Sequence, residues 1–200
     1  MNLKKYQQKR NFDTTPEPQK RKKETKEYRN IFVVQKHKSS HLHYDFRIEI
    51  GGVLVSWAVP KGPSIDPKKK QLAIRVEDHP LEYAHFEGKI PEDQYGGGIV
   101  IIWDQGQYQN QSKTKMSEAL KEGKIKIWLE GKKIQGGYNL VRIGKNQQEK
   151  EQWLLMKADD EKADARRNPT STEPKSIKSN KTIKQIREEH EHSTKKSKQK

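Results

Sequence analysis

The segment His41-Leu42-His43-Tyr44-Asp45-Phe46-Arg47-Ile48 alternates polar and apolar residues without a break. Successive side chains on a β-strand point to opposite faces, so a strand gathers Leu42, Tyr44, Phe46 and Ile48 on one side and His41, His43, Asp45 and Arg47 on the other. Tyr, Phe and Ile also suit a strand. One face can pack on a core. The other carries two imidazoles, a carboxylate and a guanidinium in a row. Such a row is either the solvated face of an antiparallel sheet or a site for a divalent metal or a phosphate. Solvated faces are usually built from Lys, Glu, Thr and Ser.

The flanking residues fold this strand into a sheet. Ile31 to His37 reads as a strand, and Lys38-Ser39-Ser40 has the length of a hairpin turn. Pairing across that turn puts Gln35 and His37 on the face of His43 and Asp45. Gly51-Gly52 marks a tight turn into a third strand, Val53–Val59, with Val53, Val55, Trp57 and Val59 on one face. Pro60-Lys61-Gly62-Pro63-Ser64 then holds Lys61 on a stiff loop. Gln71 to Asp78 reads as a strand whose alternation places Ala73, Arg75, Glu77 and His79 together. Gly96-Gly97-Gly98 is followed by neither a helix pattern nor Lys-Ser/Thr, which excludes a P-loop. Further strands are expected at Ile99–Trp103, Ile125–Leu129, Ile134, Tyr138–Ile143 and Trp153–Met156. One short helix is expected over Thr114–Glu122, stopped by Gly123. About eight short strands and one or two short helices predict a mainly β protein, a small antiparallel barrel.

The charge is spread unevenly. Residues 1–30 hold ten Lys/Arg against four Asp/Glu, residues 158–200 twelve against eight, and residues 31–157 twenty against fifteen. The chain thus divides into a basic N-terminal arm (1–30), a barrel domain (31–157) and a basic C-terminal tail (158–200) without apolar periodicity. The arm is expected to be extended or disordered, and the tail disordered apart from a transient helix near 181–192. The arm carries the cluster Lys20-Arg21-Lys22-Lys23, and one reading lays it across the domain to bring Arg10 to a phosphate. A net charge of +15 calls for a polyanionic partner, nucleic acid first. The chain has no cysteine, no apolar run long enough for a membrane and no signal-peptide core near its start. A cytoplasmic, nucleoid-associated protein is expected.

A series of ordered motifs then carries a resemblance. Phe32-Val33-Val34-Gln35-Lys36-His37, Ser40 through Arg47, Ser56-Trp57-Ala58-Val59-Pro60-Lys61-Gly62-Pro63, Val76-Glu77-Asp78-His79-Pro80-Leu81, Phe86-Glu87-Gly88 and Ile90-Pro91 closely resemble the 3′-phosphoesterase domain of bacterial LigD, the end-joining ligase. The resemblance runs from about Lys9 to Ala158 and leaves no room for a ligase or polymerase module, so a free-standing domain is expected. It implies a small β-barrel enzyme, dependent on Mn2+, that removes a 3′-terminal ribonucleoside and then the resulting 3′-phosphate during DNA repair. It assigns His37, His43 and Asp45 to the metal. It assigns Arg47, Lys61 and His79, with Tyr83 nearby, to the reacting phosphate, and gives Arg10, Glu17, Gln35 and Glu77 supporting roles. DNA 3′ ends are the implied substrate, with end-joining ligase and polymerase as protein partners. Two positions depart from the pattern. Asn11 stands where an aspartate is common, and Gln71 where some members carry a basic residue that Arg75 could replace.

A second reading, of a different class, is a non-catalytic single-stranded nucleic-acid-binding barrel, with Trp57, Trp103 and Tyr108 as stacking platforms. It requires those rings to be exposed. It does not require a His/His/Asp cluster.

Overall fold

A computed structural model of the chain describes residues 2–19 and 29–197, with side chains to residue 192. The basic cluster at 20–23 lies outside the described residues. Nine strands form one antiparallel sheet: β1 (Ile31–Lys38), β2 (Leu42–Ile50), β3 (Val53–Val59), β4 (Lys70–Arg75), β5 (Gly88–Ile90), β6 (Gly98–Asn110), β7 (Lys124–Glu130), β8 (Gln135–Lys145) and β9 (Glu151–Lys157). The order β1-β2-β3-β4-β9-β8-β7-β6 closes through a β1–β6 pairing, and β5 adds to the free side of β6. The predicted barrel is therefore present, closed by eight strands with one strand outside. β6 runs well past Trp103. It can serve two neighbours along its length because Gly106 lets the backbone press on the Glu130 carbonyl, where a Cβ would collide.

The barrel interior holds one face of each early strand. Phe32, Val34, Tyr44, Phe46, Ile48, Val55, Trp57 and Val59 meet Trp103, Leu129, Tyr138 and Trp153 there. The hairpin at Gly51-Gly52 turns with both glycines at positive φ, 60° and 80°. The opposite face of β1–β3 points outward but is not solvated. Its apolar part, Val33 and Leu54, packs with Val100 and Ile102 of β6 under Tyr6, Leu81, Tyr83 and Phe86. Tyr6 belongs to a short helix, α1 (Lys4–Gln8). Leu81, Tyr83 and Ala84 come from a 3₁₀ turn, Leu81–His85. The described residues 2–19 of the N-terminal arm pack on this face through Tyr6 and through the Arg10–Glu17 pair.

Four expectations are corrected. The strand predicted over 71–78 ends at Arg75. The Arg75 guanidinium turns onto the carbonyls of Ser56 and Val76 and the carboxylate of Asp78, so it cannot stand in for a basic residue at Gln71. Beyond it the register slips: Trp57 pairs with Arg75 and Ala58 with Ile74, but Leu54 pairs with His79. One extra residue on the β4 side moves His79 from the interior face, where strict alternation puts it with Ala73, to the outer face with Leu54.

The fourth correction concerns the C-terminal segment, where the helix expected near 181–192 is present but the surrounding chain is packed rather than disordered. Its described residues 158–192 lie against the barrel. α3 (Pro169–Thr172) and α4 (Ile183–Ser197) are joined to it by isolated anchors rather than a periodic apolar face. Pro169 and Ile186 are buried, with Ile186 against Ile99 and Ile101. The backbone fills in the rest. Trp103 Nε1 donates to the Glu173 carbonyl at 2.7 Å, Tyr44 Oη to that of Thr170 at 3.0 Å, and the Ile177 amide to Ile102 at 2.9 Å. The expected short helix is α2 (Met116–Glu122), ended by Gly123 at φ 79°. Among the described residues no helix is long and apolar enough to cross a membrane.

Candidate active site

The polar half of the outer face is a cluster built from four segments. β1 supplies Gln35 and His37, and β2 supplies Asp45 and Arg47. Direct pairing sets Gln35 opposite Asp45 and His37 opposite His43. The His37 and His43 rings lie 4.7 Å apart. His37 Nδ1 is 3.5 Å and His43 Nε2 3.8 Å from the two Asp45 oxygens. One ligating atom from each of the three residues falls within 4.8 Å of the others. His43 Nδ1 lies 3.1 Å from the His41 carbonyl, which leaves Nε2 for the cluster. His37 Nε2 is buried with no hydrogen-bond partner. Two imidazoles and a carboxylate, one with an unsatisfied buried nitrogen, fit a divalent transition ion. Burial would push the Asp45 carboxyl up, but Arg47, His37 and His43 outweigh it and hold the group below the usual carboxylate range.

Arg47 joins this triad to a second group. Its Nη2 is 3.2 Å from Asp45, its Nε donates to Gln35 Oε1 at 2.8 Å, and its Nη1 lies 2.9 Å from His79 Nδ1. Gln35 is fully buried and donates to the carbonyls of Tyr83 and Phe86 at 3.1 and 2.9 Å. It thereby ties the arginine to the 3₁₀ turn. His79 Nδ1 is also 2.9 Å from the Glu77 carbonyl, and Nε2 is 3.3 Å from Arg10 Nη2. Burial first, then the guanidiniums of Arg47 and Arg10, hold this imidazole well below its ordinary value of 6.5.

The arm completes the cluster. Arg10 Nε donates to Glu17 at 2.9 Å, Nη1 lies 3.3 Å from Glu77, and the guanidinium sits 3.8 Å over the Tyr6 ring. Glu17 is buried and also accepts from Tyr83 Oη at 2.9 Å and Thr15 Oγ1 at 3.0 Å. The Tyr83 ring is buried 4.7 Å from that of His79, behind the cluster rather than at its mouth. Burial and the Glu17 charge raise its phenol well above the usual range. Lys9 and Arg10 together hold Glu77 low, against the upward push of burial and with help from a backbone hydrogen bond.

Ten of the eleven predicted site residues are thus linked through bonds and close contacts. Lys61 stands apart. It is exposed on the turn after β3, just beyond Val59, the partner of Tyr44, and no bond joins it to Arg47 or His79. Asn11 turns its side chain onto the Asp13 amide at 3.1 Å, within its own turn. Sequence reasoning missed Ser56, Tyr6 and Lys9. Ser56 is buried with Oγ 3.4 Å from His79 Nδ1. Its signal was available, as the one polar residue in an apolar strand. Tyr6 and Lys9 sit on a short arm with no periodicity to read. The stacking platforms of the binding-module reading are absent from the surface: Trp57, Trp103 and Tyr108 are buried.

Fold and site together define a small closed barrel that sets a metal-type triad against an anion-type Arg–His–Arg group on its outer face. The sequence profile of the DNA Ligase D 3′-phosphoesterase domain matches residues 35–142. The chain belongs to that family. It is 46% identical over 162 residues to the multifunctional non-homologous end joining protein LigD of Pseudomonas aeruginosa, covering 80% of this chain and 19% of that protein. It is 46% identical over 140 residues to the LigD protein of Mycobacterium tuberculosis (70% and 18%) and 39% over 163 to that of Mycolicibacterium smegmatis (78% and 20%). The chain spans about a fifth of the length of these relatives. Arg10 and Glu17 precede the span matched by the family profile.

Proposed function

We propose that this chain is a divalent-metal-dependent 3′-phosphoesterase of DNA ends, working with Mn2+ in end joining, which removes a 3′-terminal ribonucleoside and then the 3′-phosphate. The observation that carries this reading is Arg47, which contacts the His37/His43/Asp45 triad through Asp45 and the phosphate-type group through His79. His37, His43 and Asp45 would hold the ion. When bound, it supplies Lewis-acid polarisation of a phosphoryl oxygen and acidification of water.

The protein's own groups do the remaining work. Arg47 and Arg10 converge on His79 with N···N distances of 2.9 and 3.3 Å. A neutral imidazole has one N–H and one acceptor nitrogen. One of the two guanidiniums therefore crowds an N–H, and both repel any added proton. A phosphate entering between the guanidiniums accepts their N–H groups and cancels that repulsion. His79 then gains proton affinity as substrate binds and can serve the leaving oxygen. Gln35, Glu17 and Glu77 hold the two arginines, Tyr83 orients Glu17, and Lys61 reaches the phosphate from its turn only when substrate is present.

The test is a DNA primer–template ending in one ribonucleotide, incubated with individual divalent metals, with both 3′-phosphate and 3′-hydroxyl products measured. Metal-dependent appearance of 3′-phosphate followed by 3′-hydroxyl is expected. Tight DNA binding without either product would return the chain to the binding-module class.

A further inference from the structure

Among the described residues, one large aromatic side chain is exposed: Tyr95, at 49%. A lone exposed apolar residue needs no explanation in itself. The setting of this one does. Lys9 Nζ lies 3.0 Å from the phenol oxygen and 4.1 Å from the ring centroid. The same ammonium is 3.1 Å from Glu77, whose other oxygen is 3.3 Å from Arg10. The Arg10 guanidinium is itself 5.9 Å from the Tyr95 ring. The ring is therefore one side chain removed from the group that would bind the scissile phosphate.

The loop that carries Tyr95 is held stiffly. The Gln94 amide donates to Pro91 at 3.0 Å and the Gly97 amide to Gln94 at 2.9 Å. Gly97 lies against the backbone of Pro91 and Glu92, and Gly98 against that of Lys38, too close for any Cβ. A Cβ on Gly96 would stand 3.9 Å from His37. The loop thus passes near His37 of the metal triad on one side and offers an aromatic ring to the arm on the other. Beyond it, next to the β1–β2 turn, lies a groove of about 510 Å³ whose walls carry three cations, Lys38, Lys89 and Arg187, and two acids, Glu92 and Glu191.

We propose that Tyr95 is the platform on which the base of the 3′-terminal nucleoside stacks, and that it makes the enzyme select a phosphodiester with a nucleoside to release over a bare terminal phosphate. The inference rests on the phosphoesterase reading above. A DNA strand needs cations along its phosphates, which the groove supplies. The terminal nucleoside has no phosphate beyond it. What it offers is a π face and a sugar, and stacking on an aromatic ring tolerates every base. Lys9, over the ring, places a cation beside the sugar–phosphate junction.

The experiment compares two primers, one ending in a ribonucleoside and one in a 3′-phosphate, with wild type, Tyr95→Ala, Tyr95→Phe and Tyr95→Trp. Tyr95→Ala should lower the ratio of kcat/KM for ribonucleoside removal to that for phosphate removal by about tenfold or more, chiefly through KM. Tyr95→Phe and Tyr95→Trp should keep the ratio within about threefold of wild type, because each retains a π face. An unchanged ratio in Tyr95→Ala, including equal loss on both primers, overturns the proposal. So does a Tyr95→Phe variant as impaired as Tyr95→Ala. If wild type turns over neither primer with any metal, the phosphoesterase reading itself has failed, an outcome distinct from both.

Discussion

At the scale of single residues, the site is a set of buried charges held in balance. Asp45 and Arg47 are both below a tenth exposed and 3.2 Å apart. Removing one partner of a buried pair leaves the other charge stranded, at a cost of about 3–5 kcal/mol. Asp45→Ala would therefore confuse lost stability with lost chemistry. Asp45→Asn also removes the counter-charge, but it keeps the shape and an acceptor oxygen for the Arg47 N–H. It should abolish metal-dependent turnover while near-ultraviolet circular dichroism remains that of a folded protein, and full turnover with Mn2+ in this variant would refute the ligand assignment. His79 gives a prediction in pH. It faces Arg10, Arg47, Glu77, Tyr6 and Tyr83, with Asp45 beyond Arg47, and its folded-state pKa lies well below 6.5. The unfolded chain takes up that proton near pH 6.5 and the folded one does not. The stability contributed by neutral His79 is thus present above about pH 6.5 and lost as the pH falls from there toward the folded value. Urea unfolding of the metal-free protein should show wild type losing more stability between pH 7 and pH 5 than His79→Asn loses. Equal losses would contradict the buried, neutral imidazole.

At the scale of elements, two chain ends brace the site from opposite sides. The arm brings Tyr6, Lys9, Arg10 and Glu17. Burying Tyr6 contributes roughly 1.5–3 kcal/mol, about what ordering one or two residues costs, so docking depends on the Arg10–Glu17–Tyr83 bonds as well. Deleting residues 1–18 should therefore reduce turnover itself rather than affinity alone, as read by single-turnover rates at saturating DNA. The C-terminal segment acts behind the site. Ser176 Oγ is 2.5 Å from Glu87, Glu87 accepts from the Ile102 amide at 2.8 Å, and Lys178 Nζ donates to the His85 carbonyl at 2.8 Å. These bonds pin the 83–87 backbone that accepts from Gln35, and through Gln35 they set Arg47. Gly62, next to Lys61, packs on Thr170 and Tyr44. A protein ending at residue 157 should retain its β-sheet signal and lose at least tenfold in kcat at saturating DNA. Undiminished kcat would mean that the segment only decorates the barrel.

At the scale of the whole molecule, the barrel closes the sheet and leaves β5 as a short edge strand. The α4 residues Arg187 and Glu191 lie beside the β1–β2 turn. Each phosphate neutralised by Lys or Arg steepens the salt dependence of binding by roughly 0.9 in the logarithmic slope. Reversing two exposed charges on α4, Lys184→Glu together with Arg187→Glu, should weaken DNA binding and flatten that slope by about one to two, with the proposed divalent-metal dependence unchanged. A slope identical to wild type would place the nucleic acid on another face.

The local pattern alone determined the hairpin that sets His37, His43 and Asp45 together, because the period of a strand is two and one register of β1 on β2 buries Tyr44, Phe46 and Ile48. It also determined the mainly β class, since short alternating runs between turn residues form strands whose apolar faces are buried by stacking sheets or by curling one sheet onto itself. The tertiary structure decided the rest. The one-residue slip after Arg75 put His79 on the outer face, against the alternation of its own strand. The docking of α1, and of a tail whose anchors are single residues such as Pro169 and Ile186, has no periodicity to betray it. Such contacts are chosen by the shape and charge of a surface that exists only once the barrel has closed, and Arg10, Glu17, Lys9 and Tyr95 acquire their neighbours only there.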